Sequence, residues 1–267
     1  MAASNPESPR IALAAVAHPD DIEFCFAGTL LRLRDAGYAI HMWNLANGSC
    51  GSATLGPAEI ARVRASEAQA AAEVAGATSH PPLFDDLAVF YDAPSLARVS
   101  GVLRTIQPQV ILTHAPSDYM EDHQNVCRLI VTAAFARGMP NQRCEPATPP
   151  WDGPVRLYHA APHGHRDALG ERFRPDLLVD IDGVHAEKRR MLARHESQAR
   201  WLEASQGMAS YLEQMEAQDR EMARLGPPLV RAEGWRRHAH LGFCPPEFDP
   251  LVRDLERFVQ RPLLSPP

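Results

Sequence analysis

At 267 residues with 45% hydrophobic content, the chain is long enough to bury a full core, and one large α/β domain accommodates it. A formal net charge of −6 with no long run of Lys and Arg argues against nucleic acid or an anionic membrane as partner and favours a small, neutral or polar molecule. Residues 1–10 lack the apolar core of a signal peptide, no stretch of about eighteen apolar residues occurs, and the five cysteines are odd in number and scattered, so the expectation is a soluble, cytoplasmic protein with free thiols.

Residues 1–10 read as a disordered lead-in. Ile11–Val16 is apolar on both faces, the pattern of a buried strand in a parallel sheet. Its carboxyl end delivers His18, Asp20 and Asp21 to the sheet rim, where open α/β sheets bind ligands. His18 and Asp21, three apart on a tight strand-to-helix turn, are spaced to share one metal ion, with Asp20 left free between them. A helix over Gly28–Ala36 stops at Gly37, and a second strand, Tyr38–Leu45, runs into Asn47 Gly48 Ser49 Cys50 Gly51 Ser52 at the same rim. That loop lacks the spacing of a P-loop or a GxGxxG turn, which argues against phosphate.

Pro57–Val74 is a helix with Pro in its first turn, and Arg64 and Glu67 fall on its buried stripe. There they form a mutual i, i+3 ion pair, or Arg64 reaches the rim and meets substrate. Asp85 and Asp86 are solvated loop acids or substrate contacts. A helix over Pro94–Ile106 and a strand over Val110–His114 follow. The next helix begins near Asp122, with Val126, Leu129, Ile130, Ala133 and Ala134 as its core face. His123 faces inward at the first turn, while Asp122 points sideways and suits an N-terminal cap. Two His and one carboxylate (His18, His123 and Asp21) with an open position form the ligand set of catalytic zinc, and iron(II) suits the same donors.

From Gly138 to Pro154 the chain is rich in Pro and polar residues, a long loop suited to a lid or to a homo-oligomer contact. A strand over Val155–Ala160 places His163 and His165 at the rim. Leu177–Ile181 is the last clear strand, and a helix over Val184–Leu202 carries His195, which packs or reaches the site. A charged amphipathic helix over residues 206–226 and a tail of helix and coil packed on the outside complete the chain. The expected fold class is α/β, a single Rossmann-like three-layer domain with a mainly parallel sheet. Its expected parts are a catalytic region over 11–205 and a C-terminal helical extension over 206–267 packed on it.

Two blocks carry a family resemblance: Ala17 His18 Pro19 Asp20 Asp21 Ile22 Glu23 followed by Gly28 Thr29 Leu30, and Pro116 Ser117 Asp118 Tyr119 Met120 Glu121 Asp122 His123. Together with Arg64 to Glu67 and His195 Glu196 Ser197 Gln198, they make the chain similar to the PIG-L/LmbE family of zinc-dependent N-deacetylases over roughly residues 10–205. The resemblance implies zinc on His18, Asp21 and His123, Asp20 as general base, and removal of an N-acetyl group from an amino sugar or glycoside. It also implies Arg64 on substrate hydroxyls and a soluble form, unlike the membrane-anchored eukaryotic members. Many members carry His where this chain has Met120, and a thioether cannot donate a hydrogen bond to an oxyanion. His163 and His165 are the nearest replacements, and Asp122 is a further candidate at the transition state. Other readings are an amidase acting on a thiol conjugate or natural product and a non-catalytic Rossmann-like binding protein.

Overall fold

A computed structural model of the chain describes residues 9–206 and 211–263. In chain order its strands are β1 (Ile11–Val16), β2 (Ala39–Asn44), β3 (Thr78–His80), β4 (Val110–Thr113), β5 (Arg156–Ala160), β6 (Leu177–Asp180), β7 (Ala232–Arg237) and β8 (Val259–Gln260). The α-helices are α1 (Asp21–Cys25), α2 (Ala27–Asp35), α3 (Pro57–Ala75), α4 (Ala93–Ile106), α5 (Glu121–Phe135), α6 (His185–Leu192), α7 (Glu196–Gln206), α8 (Tyr211–Ala223) and α9 (Pro250–Asp254).

The strands form one sheet in the order β3-β2-β1-β4-β5-β7-β6-β8. β1 to β5 pair in parallel, and β7 runs antiparallel between β5 and β6. Side chains alternate across a strand, so β1 sends Ala12, Ala14 and Val16 to one face and Leu13 and Ala15 to the other. The first face packs on Leu30, Leu31 and Leu33 of α2, Ala71, Ala72 and Ala75 of α3 and Met191 of α6. The second packs on Val99 and Leu103 of α4 and Val126, Leu129 and Ile130 of α5. The result is the expected α/β domain, a mostly parallel sheet between two helical layers.

The C-terminal part departs from the expectation of helix and coil on the outside, because β7 lies inside the sheet and β8 extends its edge. β7 escapes a hydropathy reading since its second residue, Glu233, is a buried carboxylate. Lys188 Nζ, itself without exposure, donates to Glu233 Oε1 and to Asp219 Oδ1, each at 2.8 Å. Glu233 also accepts the Gly28 and Thr29 backbone N–H groups at 2.8 and 2.7 Å, a carboxylate satisfying the orphan donors at the start of α2. Gly28 is required there, since a Cβ would lie 2.9 Å from Glu233 Oε1 and 2.5 Å from Ile181 Cγ2. The C-terminal segment therefore anchors the helix that follows the first sequence block.

The helix expected over Val184–Leu202 is broken by a turn between α6 and α7. Residues 1–8 of the expected lead-in and 207–210 of the expected amphipathic helix lie outside the described residues. Arg10 is held against Asp254 at 3.4 Å. The loop over 138–154 packs on α4, where Glu145 donates its N–H to Ala97 O at 2.8 Å and Arg104 donates to Thr148 O at 3.1 Å. No helix among the described residues is long and apolar enough to cross a membrane.

Candidate metal centre and active site

Both sequence blocks sit at the carboxyl ends of the adjacent parallel strands β1 and β4, so the fold brings two loops together that lie about 100 residues apart in sequence. One donor atom from each of His18, Asp21 and His123 falls within a common 4.8 Å. His18 Nδ1 lies 3.6 Å and His123 Nε2 3.5 Å from the same oxygen, Asp21 Oδ2.

The opposite nitrogen of each ring is already held by a carboxylate. His18 Nε2 is 3.1 Å from Asp122 Oδ2, and His123 Nδ1 is 3.0 Å from Asp118 Oδ1. This is how metal-ligating imidazoles are fixed, one nitrogen on an outer carboxylate and the other aimed at the ion. The donor set therefore fits a divalent cation with room for a further ligand. A second cluster, His114, Asp118 and His123, has comparable spacing. Its donors are spent: His123 Nδ1 faces Asp118, and His114 Nε2 accepts the Ala17 N–H at 2.9 Å.

The charges agree. Burial lowers the His18 imidazole, but hydrogen bonds to Asp122 and Asp21 prevail and push it up to about 10. Burial raises the Asp21 carboxyl, yet His123, His114 and His18 hold it well below the ordinary carboxylate range. The centre is a cation-seeking well. His114, stacked on His123 at 4.0 Å and 9°, is lowered by burial and by His123, which suits a neutral acceptor.

Asp20 is not the free carboxylate that the sequence suggested. Tyr211 donates its hydroxyl to Asp20 Oδ2, and Arg64 Nη2 lies 3.4 Å from Oδ1 while donating to Pro19 O. Burial pushes the Asp20 carboxyl up, with Arg64 pulling the other way. Its φ of 109° is strained for a residue with a side chain, and such strain concentrates at functional turns.

Arg64 and Glu67 do not pair with each other. Arg64 turns to the site, and Glu67 accepts the Ser197 N–H and hydroxyl at 2.8 and 2.6 Å. Gly48 and Gly51 give Arg64 its place, because a Cβ at either would meet the guanidinium. Asp122 is no cap either: it lies inside α5, 2% exposed, and accepts the Leu87 N–H at 2.8 Å besides holding His18. Asp86 pins the glycine-rich loop by accepting the Gly48 and Cys50 N–H groups.

His18, Asp20, Asp21, Arg64, Asp86 and His123 line a cavity of about 480 Å³. His163 lines it, with Gln218 donating to its Nδ1 at 3.2 Å and the Phe24 ring 4.9 Å away. Gln218 Oε1 accepts the Gly164 N–H, which fixes the amide so that its Nε2 faces both nitrogens of the His163 ring, at 3.2 and 3.4 Å. His165 is not part of the site; it faces Glu221 at 3.8 Å on the far side of the loop. His195, without exposure, packs against Glu23 at 3.2 Å. The 138–154 loop contributes nothing to the cavity lining.

Sequence reasoning did not single out His114, Asp118 or Tyr211. Asp118 stands in the second block and His114 ends a strand at the rim, so both were within reach. Tyr211 gave no signal, since it arrives from α8, 191 residues from Asp20.

Comparison with known proteins agrees with this geometry. Residues 13–134, which hold every candidate ligand, match the PIG-L family model, described as GlcNAc-PI de-N-acetylase. Over 189 residues, 66% of this chain and 69% of the relative, the chain is 29% identical to 4-oxalmesaconate hydratase of Pseudomonas putida. It shares the fold of the 4-carboxy-2-hydroxymuconate hydratase from the same species, with a TM-score of 0.68 at 24% identity, covering 86% of this chain and 96% of that one. It shares the fold of the N,N'-diacetylchitobiose deacetylase from Pyrococcus horikoshii equally, with a TM-score of 0.72 at 19% identity, covering 94% and 92%. By its two sequence blocks and the match over residues 13–134, the chain is similar to the PIG-L family, and its sheet is the fold of the solved structures above.

Proposed function

We propose that the chain is a metal-dependent hydrolase that removes an N-acyl group from a small amine. The observation that carries this reading is the placement of Asp20 in the cavity beside, and not within, the His18, Asp21 and His123 donor set. A divalent ion on those three residues, zinc or iron(II), would supply the Lewis acidity that polarises the acyl carbonyl and acidifies water.

Asp20, raised by burial, takes the proton of the attacking water and returns it to the departing nitrogen. Tyr211 and Arg64 hold its carboxylate in place. His163, which lines the cavity, takes the part of oxyanion donor that Met120 cannot play. His163 is lowered chiefly by burial and so works as a neutral imidazole. The five cysteines are free, which supports a reducing cytosol as the place of work.

A second reading, hydration of a carbon-carbon double bond, draws support from the 29% identity to a hydratase. Both reactions deliver water to an sp² carbon. The cavity lining favours the first, because among the described residues Arg64 is its only Lys or Arg, and a substrate with several carboxylates calls for more cations. The test is a panel of N-acylated amines and unsaturated oxoacids offered to the zinc-loaded protein, with released amine and lost double-bond absorbance as readouts. Amine release supports the hydrolase; loss of absorbance alone overturns it in favour of the hydratase.

A further inference from the structure

The cavity sets the polar metal donors beside a group of apolar side chains. Phe24, Leu87, Tyr119, Met120 and Leu202 line it above the metal donors. Several of the polar groups that line it are engaged within the protein. Asp86 accepts Gly48 and Cys50 N–H groups at 2.6 and 3.0 Å, Tyr211 donates to Asp20, and Asp118 holds His123. A hydroxyl placed against Phe24, Leu87 or Leu202 would find no partner there, and each unmet hydroxyl costs affinity.

Leu87 marks the wall as built for apolar contact. Its φ of 60° is a conformation that bulky residues rarely adopt and that Gly or Asn accepts readily. Its side chain is 62% exposed at the cavity, so packing within the protein does not explain the choice of Leu. Its N–H donates at 2.8 Å to Asp122 Oδ2, the oxygen that also holds His18. The strained turn thereby fixes an exposed apolar side chain in register with a metal ligand. Tyr119, 54% exposed and 5.4 Å from His123 between ring centroids, stands on the other sequence block.

We propose that the substrate carries an apolar group, aliphatic or aromatic, next to the scissile acyl-nitrogen bond, seated against Leu87 and Tyr119 in place of a polyhydroxylated sugar. This rests on the hydrolase reading, and the experiment separates the two. Zinc-loaded full-length protein is given N-acetylcyclohexylamine and N-acetylglucosamine, six-membered rings without and with hydroxyls. Each hydrolysis consumes water and yields acetate and free amine, and calorimetry measures binding of each amide in parallel. The expected result is a preference of about tenfold or more for the cyclohexyl amide in kcat/KM and Kd, narrowing about fivefold in Leu87→Asn, a variant whose residue suits the backbone and so folds. Equal or tighter binding of the sugar, or a ratio unmoved in Leu87→Asn, overturns the proposal. Tighter binding of the cyclohexyl amide with no turnover of either compound sustains the apolar seat and counts against the hydrolase reading instead.

Discussion

Asp118 stands outside the His18, Asp21 and His123 donor set, yet the geometry gives it control of metal affinity. Its Oδ1 holds His123 Nδ1 at 3.0 Å, leaving Nε2 aimed at Asp21, and its Oδ2 is buried with no hydrogen-bond partner among the described residues. In Asp118→Asn the amide oxygen still accepts from the imidazole and from the Met120 N–H, so the loop keeps its shape. What is lost is the negative charge that makes His123 a stronger donor. Loss of such an outer partner typically weakens metal binding 10- to 100-fold, or about 1.4–2.7 kcal/mol. The metal-free variant loses no stability, because a buried charge with one unpartnered oxygen has been removed. Competition against a chromophoric chelator measures the first quantity, and thermal unfolding of the metal-free protein the second. A zinc Kd within threefold of the parent, or a metal-free Tm lower by several degrees, would refute the assignment of Asp118 as the holder of a metal ligand.

Asp20→Asn should retain bound metal while turnover falls about 10²- to 10⁴-fold, measured as released amine against metal content; persistent turnover would remove Asp20 as the base. His163→Ala is expected to lower kcat by about 100-fold, and His165→Ala, outside the cavity, to leave it within about twofold. Lys188→Met strands the Asp219 and Glu233 carboxylates in the interior and should cost about 3–5 kcal/mol. With an unfolding entropy of about 0.56 kcal/mol/K for 267 residues, that is a Tm lower by about 5–9 °C in differential scanning calorimetry, and a change under 2 °C would deny the cluster its anchoring role. Zinc at about 100 times its Kd should raise Tm by about 5 °C over chelator-treated protein, from about 2.7 kcal/mol of linkage.

The parallel part of the sheet was legible because β1 and β4 are apolar on both faces and each ends in a polar loop at one rim. The three candidate metal donors were marked for the same reason, since strand ends and spacing place them without reference to long-range contacts. β7 was not, because Glu233 interrupts its apolar pattern and is tolerated inside only through Lys188 and the α2 backbone, partners that no local window contains. The state of Asp20 was hidden likewise: its neighbours in sequence suggested a free carboxylate, whereas Tyr211 and Arg64 come from α8 and α3. Asp122 looked like a cap by its phase on the helix. Only the convergence of the two loops shows that it holds His18 and the strained Leu87 turn together.

Anomalous diffraction from crystals of the zinc-loaded protein tests the metal centre most directly. The account predicts one peak coordinated by His18, Asp21 and His123, with the Asp20 carboxylate nearby but outside the coordination shell. A peak held by His114 and Asp118, a zinc-ligating Asp20, or no peak in that cavity would contradict it.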